Sequence, residues 1–198
     1  KRIEYSDFLE VHRILFEGLY PWAGKDRAEV LPDSAVKKGD LYFCHPSDCR
    51  LAVTEGLSVA QDKKQMDKRP GFIMGMFAYG HPFLDGNGRT MLLVHAELCF
   101  RAKMSVNWLL TSKQPYLDAL TKEIQAPNDG HLDAYLTPFI EPQIPRENWL
   151  QSVSDLPGLD GIDAEPDVSA GYSDPAITKE YQEFERRRGY RLENKHPD

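Results

Sequence analysis

Ten consecutive residues hold most of the reactive chemistry in this chain: His81-Pro82-Phe83-Leu84-Asp85-Gly86-Asn87-Gly88-Arg89-Thr90. His81 is the one group there whose ordinary pKa lets it accept a proton near neutral pH. Asp85 offers the hard oxygen that Mg2+ takes when it also holds phosphates. Gly86 and Gly88 leave backbone N–H groups open to an anion, at a point where a helix should begin and its dipole favours negative charge. Asn87 adds a neutral donor, and Arg89 a fork of donors matched to phosphate oxygens. Phe83 reads as an anchor that pins the loop to the core. A general base, a metal ligand, an anion cradle and a cationic clamp are the parts needed for phosphoryl or nucleotidyl transfer, where positioning and charge neutralisation carry the catalysis. The alternative is a tight turn between two helices with a buried histidine. A lone glycine-rich turn would favour that alternative, but five chemically coherent residue types in one run favour the site. No Gly-Lys-Ser/Thr follows, so this is not a P-loop.

The elements that must position the loop are mostly helical. Ser6 and Asp7 can cap a helix reaching about Tyr20, with Phe8, Val11, Ile14, Leu15 and Leu19 as its apolar stripe. Tyr20-Pro21-Trp22-Ala23-Gly24 stops it. Ala28 to Leu31 and Leu41 to Cys44 read as two extended pieces of a β-hairpin flap. Lys37, Lys38 and Gly39 lie between them, and the flap could offer a target peptide a free strand edge or be an ordinary solvated tip. Pro46-Ser47-Asp48 opens a helix to about Asp67, and Pro70 another that stops at Gly80. The loop follows, then a helix from about Gly88 past Phe100. Thr111-Ser112 and Asp129-Gly130 precede two more. Asp155, Asp160, Asp163, Glu165 and Asp167 then appear with no basic residue among them, which reads as an acidic linker. Ser173-Asp174-Pro175 and Gly189 bracket a last helix carrying Ile177, Tyr181 and Phe184. The expected division is a catalytic domain over residues 1–145, an acidic linker over 146–172, and a C-terminal helix and tail over 173–198. The fold class is mainly α, with one small β-hairpin.

Composition bounds the partners. Of the 198 residues, 41% are hydrophobic, enough for a real core, and the net charge of -7 gives no basic footprint for nucleic acid. Cys44, Cys49 and Cys99 make an odd count, which argues against a disulfide framework. The apolar runs are too short to span a bilayer and no secretory signal opens the sequence, so a reduced, cytoplasmic setting is expected.

The loop resembles the signature of the Fic family, His-x-Phe-x-Asp/Glu-Gly-Asn-Gly-Arg-x-x-Arg, and matches it at every position through Arg89. His12 to Arg27 and Phe43 to Pro46 resemble the family's first core helix, its Trp-Ala-Gly turn and the segment after its flap. The resemblance covers roughly residues 5–140. It implies a Fic-type helical bundle with a β-hairpin flap. It also implies a protein adenylyltransferase that moves AMP from Mg-ATP to a Ser, Thr or Tyr hydroxyl of a target protein. His81 would then deprotonate the hydroxyl, Asp85 would hold Mg2+, and Gly86, Asn87 and Gly88 would form the anion hole. Arg89 would contact the phosphates. One departure stands out: the family's second arginine falls at Leu92. That arginine orients the terminal phosphate and often pairs with an inhibitory glutamate, whose Ser/Thr-x-x-x-Glu-Gly/Asn motif is absent from this sequence. An inhibitory partner protein could carry one. Arg101 lies too far along the helix to compensate readily. Kinase-type members of the family also lack the second arginine, but they carry lysine at the position of Gly88. Doc-like kinase chemistry and a degenerate nucleotide- or protein-binding module are the alternatives.

Overall fold

The computed structural model describes residues 1–149 and 167–192, so residues 150–166 of the expected acidic linker lie outside the described residues. The fold is mainly α, built around one central helix. Helices α1 (Tyr5–Phe16), α2 (Arg27–Val30), α3 (Cys49–Ala60), α4 (Lys63–Lys68), α5 (Pro70–Gly80) and α6 (Asn87–Arg101) form the first part. Helices α7 (Lys113–Gln125), α8 (His131–Leu136) and α9 (Pro175–Arg188) follow. Every residue of α5 is buried. Its sequence is apolar on all sides, so it can only sit in the middle of a core, and α3, α4, α6, α7 and α8 surround it. Pro70 starts it, and the Asp133 carboxylate on α8 accepts from Gly71 N at 2.7 Å, satisfying a free N–H of the first turn.

Several elements differ from the sequence expectation, each for a local reason. Helix α1 stops at Phe16 and buries Tyr5, Phe8, His12 and Phe16, while Ile14 and Leu19 are exposed. The inward face includes a histidine, so counting apolar residues mis-phases the stripe. Ala28 to Leu31 was expected to be extended. Asp26 caps a helical turn there instead, accepting from Glu29 N at 3.1 Å. The long helix expected from Pro46 breaks at Gln61, because Asp62 caps α4 through the N–H groups of Lys64 and Gln65.

The flap consists of β1 (Ser34–Lys38) and β2 (Leu41–Tyr42), with Lys37 opposite Tyr42 and Lys38 opposite Leu41. A second small sheet pairs β3 (Met104–Val106) with β4 (Ile140–Pro142). The extended stretch β5 (Asp167–Gly171), in the range expected to be linker, runs antiparallel to β1 and gives the flap sheet the order β2-β1-β5. Helix α9 has the expected bounds, capped by Asp174 and closed by Gly189. It packs on the body: Phe184 is buried, the Arg188 guanidinium lies 3.6 Å from the Tyr79 ring centroid, and Glu185 takes the Tyr79 hydroxyl at 2.7 Å.

Leu92 lies on the buried face of α6 with Met91, Val94, His95 and Leu98, and is 4% exposed. It belongs to the core and does not face an open phosphate site. Two substitutions check this packing. A Cβ at Gly71 would stand 2.3 Å from Asp133 N and 2.4 Å from the Leu132 carbonyl carbon. Gly71→Ala is therefore expected to cost ~2–3 kcal/mol in urea denaturation, since backbone cannot step aside as a side chain can. Leu92→Arg is expected to lower stability by more than about 3 kcal/mol, because it buries a cation with no partner. An unchanged melting temperature for Leu92→Arg would place this face of α6 toward solvent.

Candidate active site

The loop leaves α5 through a left-handed residue that is not glycine. His81 caps the helix at φ 38, ψ 55, its N–H bonded to Phe77 O at 3.2 Å. A side-chain-bearing residue in this region costs energy unless its surroundings hold it there. The holder is Arg27, whose guanidinium is 0% exposed. Its Nε donates to His81 O at 2.7 Å and its Nη2 to Cys44 O at 2.8 Å. Nη1 lies 3.5 Å from Ser34 O, and the Arg27 N–H donates to Pro82 O at 2.6 Å. One residue thus ties the His81 turn to both ends of the flap.

The His81 ring stacks on Phe43 with centroids 3.8 Å apart, and its Nε2 is buried without a hydrogen-bond partner among the described residues. Burial, then the positive charges of Arg27 and Lys38, hold its pKa well below the ordinary imidazole range. A neutral imidazole is the form that accepts a proton, so the environment suits a general base. The unpartnered Nε2 also gives an incoming hydroxyl something to bond.

The other end of the loop is pinned by His12 on α1. Gly24 N donates to His12 Nδ1 at 2.9 Å, so Nε2 carries the proton and donates to Asp85 O at 3.0 Å. Burial pushes His12 down to a pKa of about 4, which keeps that tautomer neutral. Its ring stacks on Phe83 at 3.7 Å, and Phe83 is itself fully buried, as an anchor should be. Asn87 spends its side chain inside the loop: Oδ1 accepts from Phe83 N at 2.9 Å and Nδ2 donates to Phe83 O at 2.7 Å. What Asn87 can offer an anion is therefore its backbone N–H. Gly86 sits at φ 79 just before α6, and a Cβ there would strike the Phe16 ring at 2.5 Å. A Cβ at Gly88 would meet nothing within 4 Å, so the space over the first turn of α6 is open to a ligand.

Asp85 and Arg89 face each other across this opening, with the Asp85 carboxylate 3.4 Å from Arg89 Nη2 and 42% exposed. The Tyr20 hydroxyl donates to Asp85 Oδ2. The Arg89 guanidinium lies 4.5 Å from the Phe16 ring centroid. Among the described residues no group of three metal-ligating side chains forms. One carboxylate beside an open anion cradle nonetheless suits Mg2+, which commonly takes one or two carboxylates and completes its shell with substrate phosphates and water. Arg101 is remote: it bonds Glu97 at 2.8 Å and Lys1 O at 2.6 Å, about 18 Å of helix beyond Arg89. At the flap, Lys37 lies 3.8 Å from Glu180 on α9, Lys38 is exposed, and Gly39 turns the hairpin at φ 60.

Sequence reasoning found the contiguous loop. It did not single out Arg27, His12 or Tyr20 as its supports, because their partners within the loop are backbone carbonyls and a carboxylate 54 to 73 residues away. Only the aromatic and glycine run around Trp22 hinted at them.

Comparison with known proteins agrees with this architecture. The chain is 25% identical over 129 residues to a probable protein adenylyltransferase, y4lH, of Sinorhizobium fredii, covering 61% of this chain and 65% of that one. It is 30% identical over 121 residues to the protein adenylyltransferase VbhT of Bartonella schoenbuchensis, covering 57% of this chain and 24% of that one. The match thus spans less than two thirds of either relative. Two solved structures share the fold. One is the BepC protein of Bartonella tribocorum with bound AMPPNP, at TM-score 0.55 and 16% identity, covering 71% of this chain and 76% of that one. The other is the N-terminal Fic domain of a putative cell filamentation protein of Bartonella quintana with bound ADP, at TM-score 0.59 and 18% identity, covering 74% and 76%. Residues 2–99, which contain α1 through most of α6, match the model of the Fic/DOC family.

Proposed function

We propose that this chain transfers AMP from Mg-ATP to a hydroxyl side chain of a target protein. One observation carries the reading: a neutral histidine with a buried, unpartnered Nε2 lies on the same short loop as an anion cradle at a helix start. Both adenylyltransferase relatives support it. In this reading residues 1–145 are the catalytic domain, 146–172 connect it to the tail, and 173–198 are the C-terminal helix and tail.

His81 takes the proton from a target Ser, Thr or Tyr as its oxygen attacks the α-phosphorus, and pyrophosphate leaves. The N–H groups of Gly86, Asn87 and Gly88 hold the phosphate oxygens, and Arg89 turns from Asp85 toward the phosphates to neutralise charge. Asp85 would hold Mg2+, which supplies charge neutralisation on the phosphates when bound. The flap around Lys37, Lys38 and Gly39 receives the target. With Leu92 in the core, no second arginine meets the terminal phosphate, so an inhibitory partner protein would have to act on other residues. The free thiols of Cys44, Cys49 and Cys99 fit a cytoplasmic setting, and no described helix is long and apolar enough to cross a membrane.

The test is labelling of lysate proteins with ATP carrying the label at the α or the γ phosphate. Transfer of the α label alone is expected. Transfer of the γ label alone would mean Doc-like kinase chemistry, and nucleotide binding without either transfer would mean a binding module. His81→Ala is expected to slow labelling by about 10²–10⁴-fold. Because its pKa is held low, protonation should not reach His81 until well into the acid range. The labelling rate should stay flat between about pH 8 and about pH 6, and an inflection near about 6.5 would show an exposed, ordinary histidine instead. Gly88→Ala should keep the melting temperature while weakening ATP binding about tenfold or more, since its methyl enters the space the phosphate needs.

A further inference from the structure

The flap holds out no free edge on β1. On one side β1 pairs with β2. On the other lies β5, antiparallel, with Ser34 opposite Gly171, Val36 opposite Val168 and Lys37 opposite Asp167. We propose that β5 is an internal occupant of the target-docking edge, which an extended segment of a target protein must displace before its hydroxyl can reach His81. This rests on the reading of the flap as the target's docking element.

The edge it covers belongs to the strand next to the site. Val36 O accepts from Phe43 N at 3.0 Å, and the Phe43 ring is the one stacked on His81. That bond lies on the β2 side of β1, so β1 alone separates a strand laid along the opposite edge from the Phe43 segment. The pairing is also of a kind that can exchange. It is short, and its register shifts between Ser34 and Val36. A bulged ladder has fewer regular bonds to lose, and a strand edge accepts any backbone that fits.

The fit says what the edge takes. Gly171 lies against Asp33: a Cβ there would meet Asp33 Oδ2 at 2.4 Å and the Asp33 carbonyl at 3.0 Å. Tyr172 N donates to Asp33 O at 2.8 Å just beyond. Asp167 stands in register with Lys37 at the other end. The fitting partner is an extended segment with glycine at the Asp33 end.

The chain keeps this occupant close. Three residues after β5, Asp174 caps α9, and α9 in turn contacts the flap. Glu180 accepts from the Tyr42 hydroxyl at 2.6 Å and lies 3.8 Å from Lys37, and the Tyr181 hydroxyl accepts from His45 N at 3.1 Å. A tethered strand competes at high effective concentration, so it returns after each displacement, and a target must bring contacts beyond the edge itself to win.

The test uses a fluorescein-labelled synthetic peptide with the chain's own residues 166–173, Pro-Asp-Val-Ser-Ala-Gly-Tyr-Ser, and a scrambled control. Fluorescence anisotropy measures its binding to the whole chain and to Gly171→Val, which cannot keep its place against Asp33. The peptide is expected to bind the variant at least about tenfold more tightly than the wild type, because the tethered competitor is gone. Hydrogen exchange of the β1 amides should rise in the variant and fall again when peptide is added. Asp167→Pro, which removes the N–H of the residue paired with Lys37, serves as the second variant should Gly171→Val lose its fold by circular dichroism. Equal peptide affinity for wild type and folded variant, or unchanged β1 protection, overturns the proposal. If peptide binding behaves as expected but no nucleotide label reaches any protein, β5 still occupies the edge and the AMP-transfer reading falls. Labelling with equal peptide affinities has the opposite meaning.

Discussion

A buried guanidinium organises this molecule. Arg27 is fully enclosed and, among the described residues, makes no ion pair with a carboxylate. A buried cation is tolerated only when its N–H groups are satisfied, and here backbone carbonyls satisfy them. Those carbonyls belong to His81, Cys44 and Ser34, so the loop and both ends of the flap converge on one planar fork. The same positive charge discourages protonation of the histidine it positions. Placement of His81 and its protonation state are therefore one property of the fold. Lysine could not replace this arginine, because a point charge on a flexible stem cannot hold several carbonyls in a fixed plane.

A neutral histidine does the corresponding work at the other end of the loop. His12 links Gly24 to the Asp85 carbonyl, and an aromatic group of Phe16, Tyr20, Trp22 and Phe83 packs around it. Tyr5 contributes from further away: its hydroxyl donates to Asp26 at 2.7 Å, and Asp26 caps the turn that carries Arg27. Helix α1 thus supports the site with side chains from several turns.

This explains what the sequence disclosed. The loop was legible because its chemistry is contiguous, and helices α5, α7, α8 and α9 were legible because proline, serine, aspartate or glycine mark their ends. The stripe of α1 was misread because His12 occupies a core position for its hydrogen bonds, while Ile14 and Leu19 are apolar and exposed. Arg27 carried no local signal, since a charged residue after aspartate looks like surface. The strand β5 was invisible for a different reason. Its pairing is backbone to backbone, so acidic, small-residue composition reads as spacer even where the chain joins a sheet. At Leu92 likeness points to a missing phosphate contact and the neighbouring Met91 and Leu93 point to the core; its burial decides for the core.

The distance in sequence between β1 and β5 has a consequence for how the protein is made. Ser34 must wait for Gly171 to leave the ribosome before the two can pair. Synthesis runs at roughly 5–20 residues per second, so the gap lasts on the order of ten seconds. Helices α1 to α8 can fold within that time, since helical packing is fast compared with elongation. The nascent chain therefore passes through a stage in which the loop is assembled and the strand beside it is bare. During that stage the edge is open to any extended segment nearby, including one from a neighbouring copy on the same message.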